Sequence, residues 1–316
     1  MSNAAFLWMV NQGIELGLVT LCLILLRVIL RRTAPRLFSY LLWCTLPVTV
    51  LCNFLLRMVS NFSVQRLIYL SLSSPLEMSK NFLAVVKLIW LLGLVTFLIT
   101  LLLTHLQFRR WLVGSIRLRK NIYLASRITT PFTIGLLWPK IYLPTSVKQE
   151  YHEAVILHEQ VHIRRKDIWM KNFALLFLAL FWFQPLLWLA YRLFVNDMEE
   201  ACDEAVLKEK GEEYSSEYAK VLVEVSYQAG KLKGVAVGYG GGEVKNRVKN
   251  VLRYKRARFG VYVATFLCFV LFVALMIPLS WSVPQVVKKE FSLDGSPSVI
   301  VEQSKIKIKI GTEVVK

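Results

Sequence analysis

The sequence predicts a mainly α-helical protein that crosses a membrane four times and carries a mixed α+β domain between its third and fourth spans. Of its 316 residues, 55% are hydrophobic, and the mean hydropathy is +0.49, which is too apolar for an ordinary soluble domain of this size. Four apolar runs approach or exceed the roughly 20 helical residues that a hydrocarbon core requires. They are residues 6–30, 37–56, 82–106 and 259–281.

Basic residues near the ends of these runs predict the orientation of the chain. The net charge is +18, and the charges lie beside apolar runs, which favours an anionic lipid surface over nucleic acid as the partner. Three clusters share one side if the N-terminus is outside. They are Arg27, Arg31, Arg32 and Arg36, then Arg109, Arg110, Arg117, Arg119 and Lys120, then Lys255, Arg256 and Arg258.

This orientation divides the chain into four regions. Residues 1–106 form a three-span region whose N-terminus is extracytoplasmic, and 107–258 form a cytosolic domain. Residues 259–281 are the fourth span, and 282–316 are a short extracytoplasmic tail. The five cysteines show no close spacing, so a disulfide framework is not expected.

The predicted cytosolic domain begins with β-like segments and continues as helix. Residues 122–125 and 140–143 have strand composition, and turn signals at Thr130-Pro131, Gly135 and Trp138-Pro139 separate them. From Lys148 onward the apolar spacing is helical.

The helical part contains a candidate metal site. His158 and His162 are four residues apart, so they share a helix face and are able to hold one Zn²⁺. Glu159 follows the first histidine and is placed to act as general base on a zinc-bound water. A pattern with three fixed positions also arises by chance, so the metal hypothesis requires a third ligand.

A second segment offers that ligand. Glu199 and Asp203 are also four residues apart, which fits one ligand and one carboxylate that orients a ligating histidine. By itself such an acidic cluster is more often a solvated helix face. Cys202 is an alternative ligand as a thiolate, and His152 is an alternative stabiliser of the transition state.

Three blocks of sequence resemble the membrane-embedded metallopeptidases of the BlaR/MecR antirepressor type. They are residues 130–144 (TPFTIGLLWPKIYLP), His158-Glu-Gln-Val-His162 with Arg164-Arg-Lys-Asp167, and Trp182-Phe-Gln-Pro-Leu-Leu-Trp188 followed by Asp197-Met-Glu-Glu-Ala-Cys-Asp203. The resemblance implies a gluzincin-like domain in which His158, His162 and Glu199 bind zinc. It also implies that Glu159 is catalytic, that Asp203 lies behind the ligands, and that Cys202 is a small packing residue.

The resemblance further implies the biology. We expect a zinc endopeptidase of the bacterial cytoplasmic membrane, with a homodimer as one option for its assembly. Its substrate would be a winged-helix repressor protein or its own linker, and it would not itself bind nucleic acid. Sensor members carry a penicillin-binding domain after the last span, whereas about 35 residues follow Trp281 here. Ser304 and Lys307 match Ser-x-x-Lys, but the alternating pattern of residues 305–310 predicts a strand, in which these side chains point to opposite faces. The input signal is therefore left open.

Two functional alternatives remain at this point. One is a non-catalytic membrane scaffold or signal relay with a structural zinc, which would not need Glu159. The other is a CAAX-type or quality-control membrane metalloprotease with the same ligands, which would not need the Thr-Pro-Phe block.

Two segments raise questions of topology. Residues 168–194 are a 27-residue apolar stretch, and a single crossing there would place Glu199 and His158 on opposite sides of the membrane. The break at Gln184-Pro185 therefore predicts a broken, re-entrant or interfacial helical hairpin. Residues 230–243 are rich in glycine and predict a linker before a basic helix at about 243–258, with the hypothesis that the linker is cut as a pseudo-substrate.

Overall fold

The computed structural model describes residues 3–31, 34–59, 80–233, 241–256 and 259–279, and four short strands between residues 290 and 314. The helices are α1 (Asn3–Leu30), α2 (Arg36–Leu42), α3 (Thr45–Val59), α4 (Lys80–Trp111), α5 (His152–Arg165), α6 (Asp167–Leu180), α7 (Pro185–Lys210), α8 (Ser215–Lys233), α9 (Gly241–Leu252) and α10 (Phe259–Leu279). The strands are β1 (Ile116–Arg119), β2 (Ile122–Ala125), β3 (Phe132–Ile134), β4 (Lys140–Pro144), β5 (Glu290–Phe291), β6 (Ser298–Glu302), β7 (Lys305–Ile310) and β8 (Glu313–Val314). The prediction of a mainly helical protein is confirmed.

Within the described residues, three helical segments are long and apolar enough to cross a membrane: Phe6–Leu30, Arg36–Leu55 and Asn81–Trp111. The apolar helix α10 begins at Phe259, as expected for the fourth run. The second segment is not one continuous helix, because a turn at Trp43 and Cys44 separates α2 from α3. Pro47 accounts for this break, since it lacks the N–H that would bond to the carbonyl of residue 43 and its ring crowds that carbonyl.

A four-stranded sheet of order β1-β2-β4-β3 precedes the helices of the candidate site. β2 and β4 pair in parallel, and β3 pairs antiparallel with β4 at the edge of the sheet. The predicted strands at 122–125 and 140–143 are confirmed by β2 and β4. Ile141 and Leu143 are fully buried and pack with Val155 and Ile156 of α5, which fixes α5 against the sheet.

The apolar stretch 168–194 forms the predicted hairpin. Lys166 adopts a left-handed conformation (φ 60°, ψ 31°) between α5 and α6 and so redirects the chain. A turn over residues 181–184 ends α6, and Pro185 is the first residue of α7, where its missing N–H has no cost. The two arms pack against each other, so residues 167 and 199 return to the same neighbourhood.

The tip of the hairpin reaches far along the neighbouring apolar helices. Gln184 Nε2 donates to the carbonyl of Gly13 in α1 (2.7 Å), and Trp182 Nε1 donates to the carbonyl of Trp90 in α4 (3.2 Å). Arg27 of α1 instead contacts α7 at Asp197, near the candidate site. Fourteen helical residues separate Gly13 from Arg27, so the hairpin extends about 21 Å along α1.

The chain divides into two compact units, residues 1–50 with 78–273 and residues 51–77 with 274–316. The second unit contains an antiparallel sheet of order β5-β6-β7-β8, and β7 confirms the strand predicted at 305–310. Ser304 lies outside the described residues, as does half of the glycine-rich linker, at 234–240. Helix α8 continues to Lys233 and α9 begins at Gly241, so both helices extend into the predicted linker, and α9 ends at Leu252, earlier than predicted.

Candidate metal centre

The two histidines on α5 face each other through their Nε2 atoms, which lie 3.1 Å apart. His162 Nδ1 lies 2.7 Å from Asp167 Oδ2, and a carboxylate only accepts hydrogen bonds, so this Nδ1 carries the proton. His158 Nδ1 lies 2.8 Å from the Tyr218 hydroxyl, which donates its own proton to Asp203 Oδ1. His158 Nδ1 therefore also donates, and in the neutral rings both Nε2 atoms present lone pairs.

The Glu199 carboxylate completes a set of three acceptors. Its Oε2 lies 3.4 Å from His158 Nε2, and its Oε1 lies 3.7 Å from His162 Nε2. Three acceptors this close repel one another unless a cation lies between them. Ligands about 2.0–2.1 Å from a tetrahedral Zn²⁺ are roughly 3.3–3.4 Å apart, and the observed distances lie on either side of that value. The donor set therefore fits a zinc ion.

The electrostatics of the site also favour a cation. Burial alone would lower the pKa of His158, but Cys202 and Glu199 outweigh burial and raise it to about 10. The pKa of His162 is raised well above its usual value for the same reasons, and the hydrogen bond that His162 donates to Asp167 adds to the effect. Burial would raise the pKa of Glu199, but Arg247 and the two histidines hold it well below its usual value. Positive charge between these groups is strongly stabilised.

Asp203 lies behind His158. Its Oδ1 is 3.5 Å from His158 Nδ1 and accepts a hydrogen bond from the Tyr218 hydroxyl at 2.8 Å. Arg247 donates to both Asp203 oxygens at 2.8 Å. Tyr218 and Arg247 were not identified in the sequence, because α8 and α9 carry no motif that marks them, and only the folded chain brings them beside α7.

Asp167 holds the second histidine, and it too was missed as a site residue. It is the last residue of the block Arg164-Arg-Lys-Asp167 and the first residue of α6, so the left-handed Lys166 turns its carboxylate back toward His162. Tyr40 of α2 donates to the other oxygen of Asp167 at 3.0 Å. Asp167 follows His162 by only five residues, and this short spacing was the signal by which the sequence could have identified it as a partner of His162.

Glu159 contacts the edge strand of the sheet. Its Oε2 accepts a hydrogen bond from the Thr133 hydroxyl of β3 at 2.7 Å, and its side chain is buried. The block at residues 130–144 thus forms an edge strand, a turn and a second strand, and the edge strand lies beside the helix that carries the histidines. The open cleft here is lined by β3 and by α4 to α9, and includes His158, Glu159 and Glu199.

The two alternative site residues lie in different settings. Cys202 is fully buried, and its Sγ lies 3.5 Å from His158 Nδ1, so it sits on the side of the ring away from Glu199. It still belongs to a group in which its sulfur and one nitrogen of each histidine lie within 4.8 Å of one another. His152 Nε2 lies 3.0 Å from the carbonyl of Val147. Within the described part of the chain, no hydrogen bond joins His152 to the site, so the structure does not support the hypothesis that His152 stabilises the transition state.

Helix α7 is held at the level of the site by cations from the N-terminal helices. Arg27 donates to both oxygens of Asp197 at 2.7 and 2.6 Å, and Trp43 Nε1 donates to the same carboxylate at 2.8 Å. Arg31 and Arg36 pair with Glu200 at 2.9 and 3.4 Å. Basic residues that the sequence suggested as orientation signals thus have specific partners on α7.

Comparison with known proteins identifies the family. The BlaR1 peptidase M56 family (Peptidase_M56) matches residues 7–251. The methicillin resistance mecR1 proteins of Staphylococcus aureus and Staphylococcus epidermidis are each 30% identical over 142 residues, which is 42% of this chain and 24% of theirs. The regulatory protein BlaR1 of Bacillus licheniformis is 32% identical over 113 residues, which is 34% of this chain and 19% of that protein. The matches thus span a quarter or less of these relatives, whereas the family match covers most of this chain, and the chain belongs to the BlaR1 peptidase M56 family.

Proposed function

We propose that this protein is a membrane-embedded zinc endopeptidase that acts at the cytosolic face of a bacterial membrane and transmits a signal by cleaving a transcriptional repressor, its own chain, or both. The observation that carries the proposal is the convergence of His158 Nε2, His162 Nε2 and the Glu199 carboxylate, with both Nδ1 atoms held by hydrogen bonds. Membership of a peptidase family supports the reaction type.

The chain's own residues divide the work of peptide hydrolysis. When bound, zinc would act as a Lewis acid on the scissile carbonyl and lower the pKa of a water molecule. His158, His162 and Glu199 would hold the ion, while Asp167 and the Tyr218–Asp203 pair fix the two imidazole rings. Glu159 takes the proton from the water and passes it to the leaving amine. Thr133 orients Glu159 for that transfer.

The edge strand supports an extended peptide as the substrate. β3 pairs with β4 on one side only, and its Thr133 contacts Glu159. A peptide that adds to the free edge of β3 would run past the general base, as in other cases of strand addition.

Exposed apolar side chains support a position at the membrane surface. In the β3–β4 loop, Leu137 and Trp138 are 68% and 80% exposed. The loop is tied to α6, because Trp169 Nε1 donates to the carbonyl of Leu136 at 3.0 Å, and α6 exposes Phe173 and Leu176. Aromatic side chains of this kind favour the boundary between headgroups and acyl chains. The loop and the outer face of α6 would contact lipid.

Metal analysis of purified protein tests the proposed site. We expect about one zinc per chain in the wild type and in Glu159→Gln, because a general base is not a ligand. Glu199→Ala should lose most of the metal, whereas Cys202→Ala should keep it. Loss of zinc in Cys202→Ala with retention in Glu199→Ala would make the thiolate the third ligand.

Proteolysis is tested in cells that express the wild type or Glu159→Gln. New protein N-termini, measured by mass spectrometry, should appear in this chain or in a repressor encoded nearby, and should be absent with Glu159→Gln. Equal cleavage with both proteins would exclude this active site. Zinc binding without any Glu159-dependent cleavage would support the scaffold alternative.

A further inference from the structure

Arg247 on α9 joins the two carboxylates that the sequence singled out on α7. Its Nε and Nη2 donate to Asp203 at 2.8 Å each, and its Nη1 lies 3.2 Å from Glu199 Oε2. The Arg247 side chain is 21% exposed, Asp203 is 4% exposed and Glu199 is 28% exposed. One guanidinium therefore bridges Glu199, the proposed third ligand, and Asp203, the carboxylate that lies behind His158.

The Arg247 guanidinium offsets the repulsion between the two carboxylates. Glu199 and Asp203 are one turn apart on the same face of α7, so their negative charges repel each other in a partly buried setting. A guanidinium offers several donors in a rigid plane and contacts both carboxylates at once. A lysine ammonium supplies the charge but not this geometry. Arg247 thus fixes the rotamer of Glu199 as well as its charge.

The position of Arg247 depends on how α9 packs. Val251 of α9 is 1% exposed and packs with Val206 and Leu207 of α7 and with Tyr218 of α8. Asn250 accepts a hydrogen bond from Arg36 at 3.1 Å. α9 ends only a few residues before the apolar helix α10 begins. The helix that carries Arg247 is therefore connected both to the site and to the predicted fourth span.

We propose that Arg247 is a positioning residue that holds Glu199 and Asp203 for metal binding, so that zinc affinity depends on α9 being packed against α7 and α8. The inference rests on the proposed metal site. A displacement of α9 would withdraw the guanidinium, free the Glu199 side chain and weaken the site without any change in the ligands themselves.

Zinc affinity of the full-length protein in lipid nanodiscs tests the proposal by competition with a chelator. Loss of a partner that orients a metal ligand typically weakens metal binding about 10–100-fold, and we expect this for Arg247→Gln. Arg247→Lys should be intermediate. Lys249→Ala, an exposed change on the same helix, is the matched control and should bind zinc as the wild type does.

The absorption spectrum of Co²⁺-loaded protein gives a second readout that a purely structural role would not change. At saturating Co²⁺, Arg247→Gln should show altered ligand-field bands because Glu199 is no longer fixed. Lys249→Ala should keep the wild-type bands. A folded Arg247→Gln with wild-type zinc affinity and wild-type bands would overturn the proposal.

Two further variants keep the test decisive. If Arg247→Gln alone fails to fold, Asp203→Asn/Arg247→Gln replaces the ion pair by neutral amides, and we expect it to fold and still bind zinc weakly. Wild-type zinc affinity in that double variant would overturn the proposal. Val251→Ser loosens the packing of α9 against α7 and Tyr218 without replacing any residue that hydrogen-bonds in the site, and it should also weaken zinc binding. Unchanged binding would refute the dependence on α9 packing. A wild type that binds no stoichiometric zinc would instead contradict the proposed function.

Discussion

Thr133 gives the Thr-Pro-Phe block a role at the scale of single residues. Its hydroxyl donates to Glu159 Oε2 at 2.7 Å. A hydrogen bond to a charged group contributes about 1.5–3 kcal/mol. If Thr133 orients the base, Thr133→Val should slow peptide cleavage roughly 10–100-fold and leave zinc content unchanged. The measurement is the cleavage rate at saturating substrate. Thr130→Val, an exposed change in the same block, is the control and should cleave normally.

The charges around the histidines predict how zinc binding depends on pH. The metal-free site holds a proton tightly, since the pKa of His158 is raised to about 10 and that of His162 is also raised. Zinc must displace such protons, so its affinity should rise with pH throughout the window between the usual histidine pKa of about 6.5 and about 10.

Chelator competition between about pH 6.5 and 8.5 measures this dependence. We expect roughly a tenfold gain in affinity per pH unit for each proton displaced. An affinity that stops rising above about pH 7.5 would show that the histidines keep ordinary pKa values. Glu159→Gln should give the same slope, because Glu159 is not one of the proposed ligands.

The spacing of residues predicted one half of the site and could not predict the other. His158 with His162, and Glu199 with Asp203, share helix faces because each pair is four residues apart. Tyr218, Arg247 and Tyr40 reach the same place from α8, α9 and α2, and nothing in their local sequence requires this. Such contacts come from tertiary packing, which a single sequence does not encode as a pattern.

At the scale of elements, the hairpin of α6 and α7 depends on close approach to glycines. A Cβ placed on Gly13 would lie 2.7 Å from the Phe183 ring, and one on Gly93 would overlap the Trp182 ring. Two hydrogen bonds stabilise the contact between α4 and the hairpin. Trp90 Nε1–H donates to the carbonyl of Leu180, and Trp182 Nε1–H donates to the carbonyl of Trp90. The hairpin tip is therefore positioned by α1 and α4.

A larger residue at Gly93 should disrupt this packing. Gly93→Leu would collide with Trp182 and should destabilise the protein by about 1–3 kcal/mol, the usual cost of overpacking. The measurement is the thermal transition in nanodiscs. Gly260→Leu is the control, because a Cβ at Gly260 of α10 meets nothing within 4 Å. Trp182→Ala should recover part of the loss in Gly93→Leu. A normal transition in Gly93→Leu would mean that α4 does not pack against the hairpin.

Of the two breaks in the apolar runs, the sequence analysis predicted one and missed the other. The break at Gln184-Pro185 was recognised because a continuous helix would have placed the proposed ligands His158 and Glu199 on opposite sides of the membrane. The requirement that both bind one metal ion therefore favoured a hairpin. Pro47 was overlooked, because the run 37–56 was long enough to cross a membrane and no ligand depended on its continuity. The break that Pro47 produces sets α2 apart as a short helix, and α2 supplies Tyr40 and Trp43 to the site region.

At the scale of the whole molecule, the first helix is tied to the helix that carries Glu199. Arg27 and Asp197 are 6% and 2% exposed and form a bidentate pair, which Trp43 completes. The pair lies two residues before Glu199, so the N-terminal helix and the proposed ligand are mechanically connected. A sequence reading of Arg27 as an orientation signal does not anticipate this contact.

A double-mutant cycle tests whether Arg27 acts as the ion-pair partner of Asp197 or only as a positive charge that orients the chain in the membrane. Removing one partner of a buried ion pair costs about 3–5 kcal/mol, because the other charge is left without compensation. Arg27→Met should therefore lower the thermal transition strongly and weaken zinc binding through the shift of α7. Arg27→Met/Asp197→Asn should be more stable than Arg27→Met, since the amide oxygen still accepts from Trp43 and residue 197 no longer carries a charge without its partner. Arg110→Met removes an exposed cation from the end of α4 and serves as the control. If Arg27 acted only as a positive charge on the cytosolic side, Arg27→Met and Arg110→Met would behave alike and Asp197→Asn would rescue nothing.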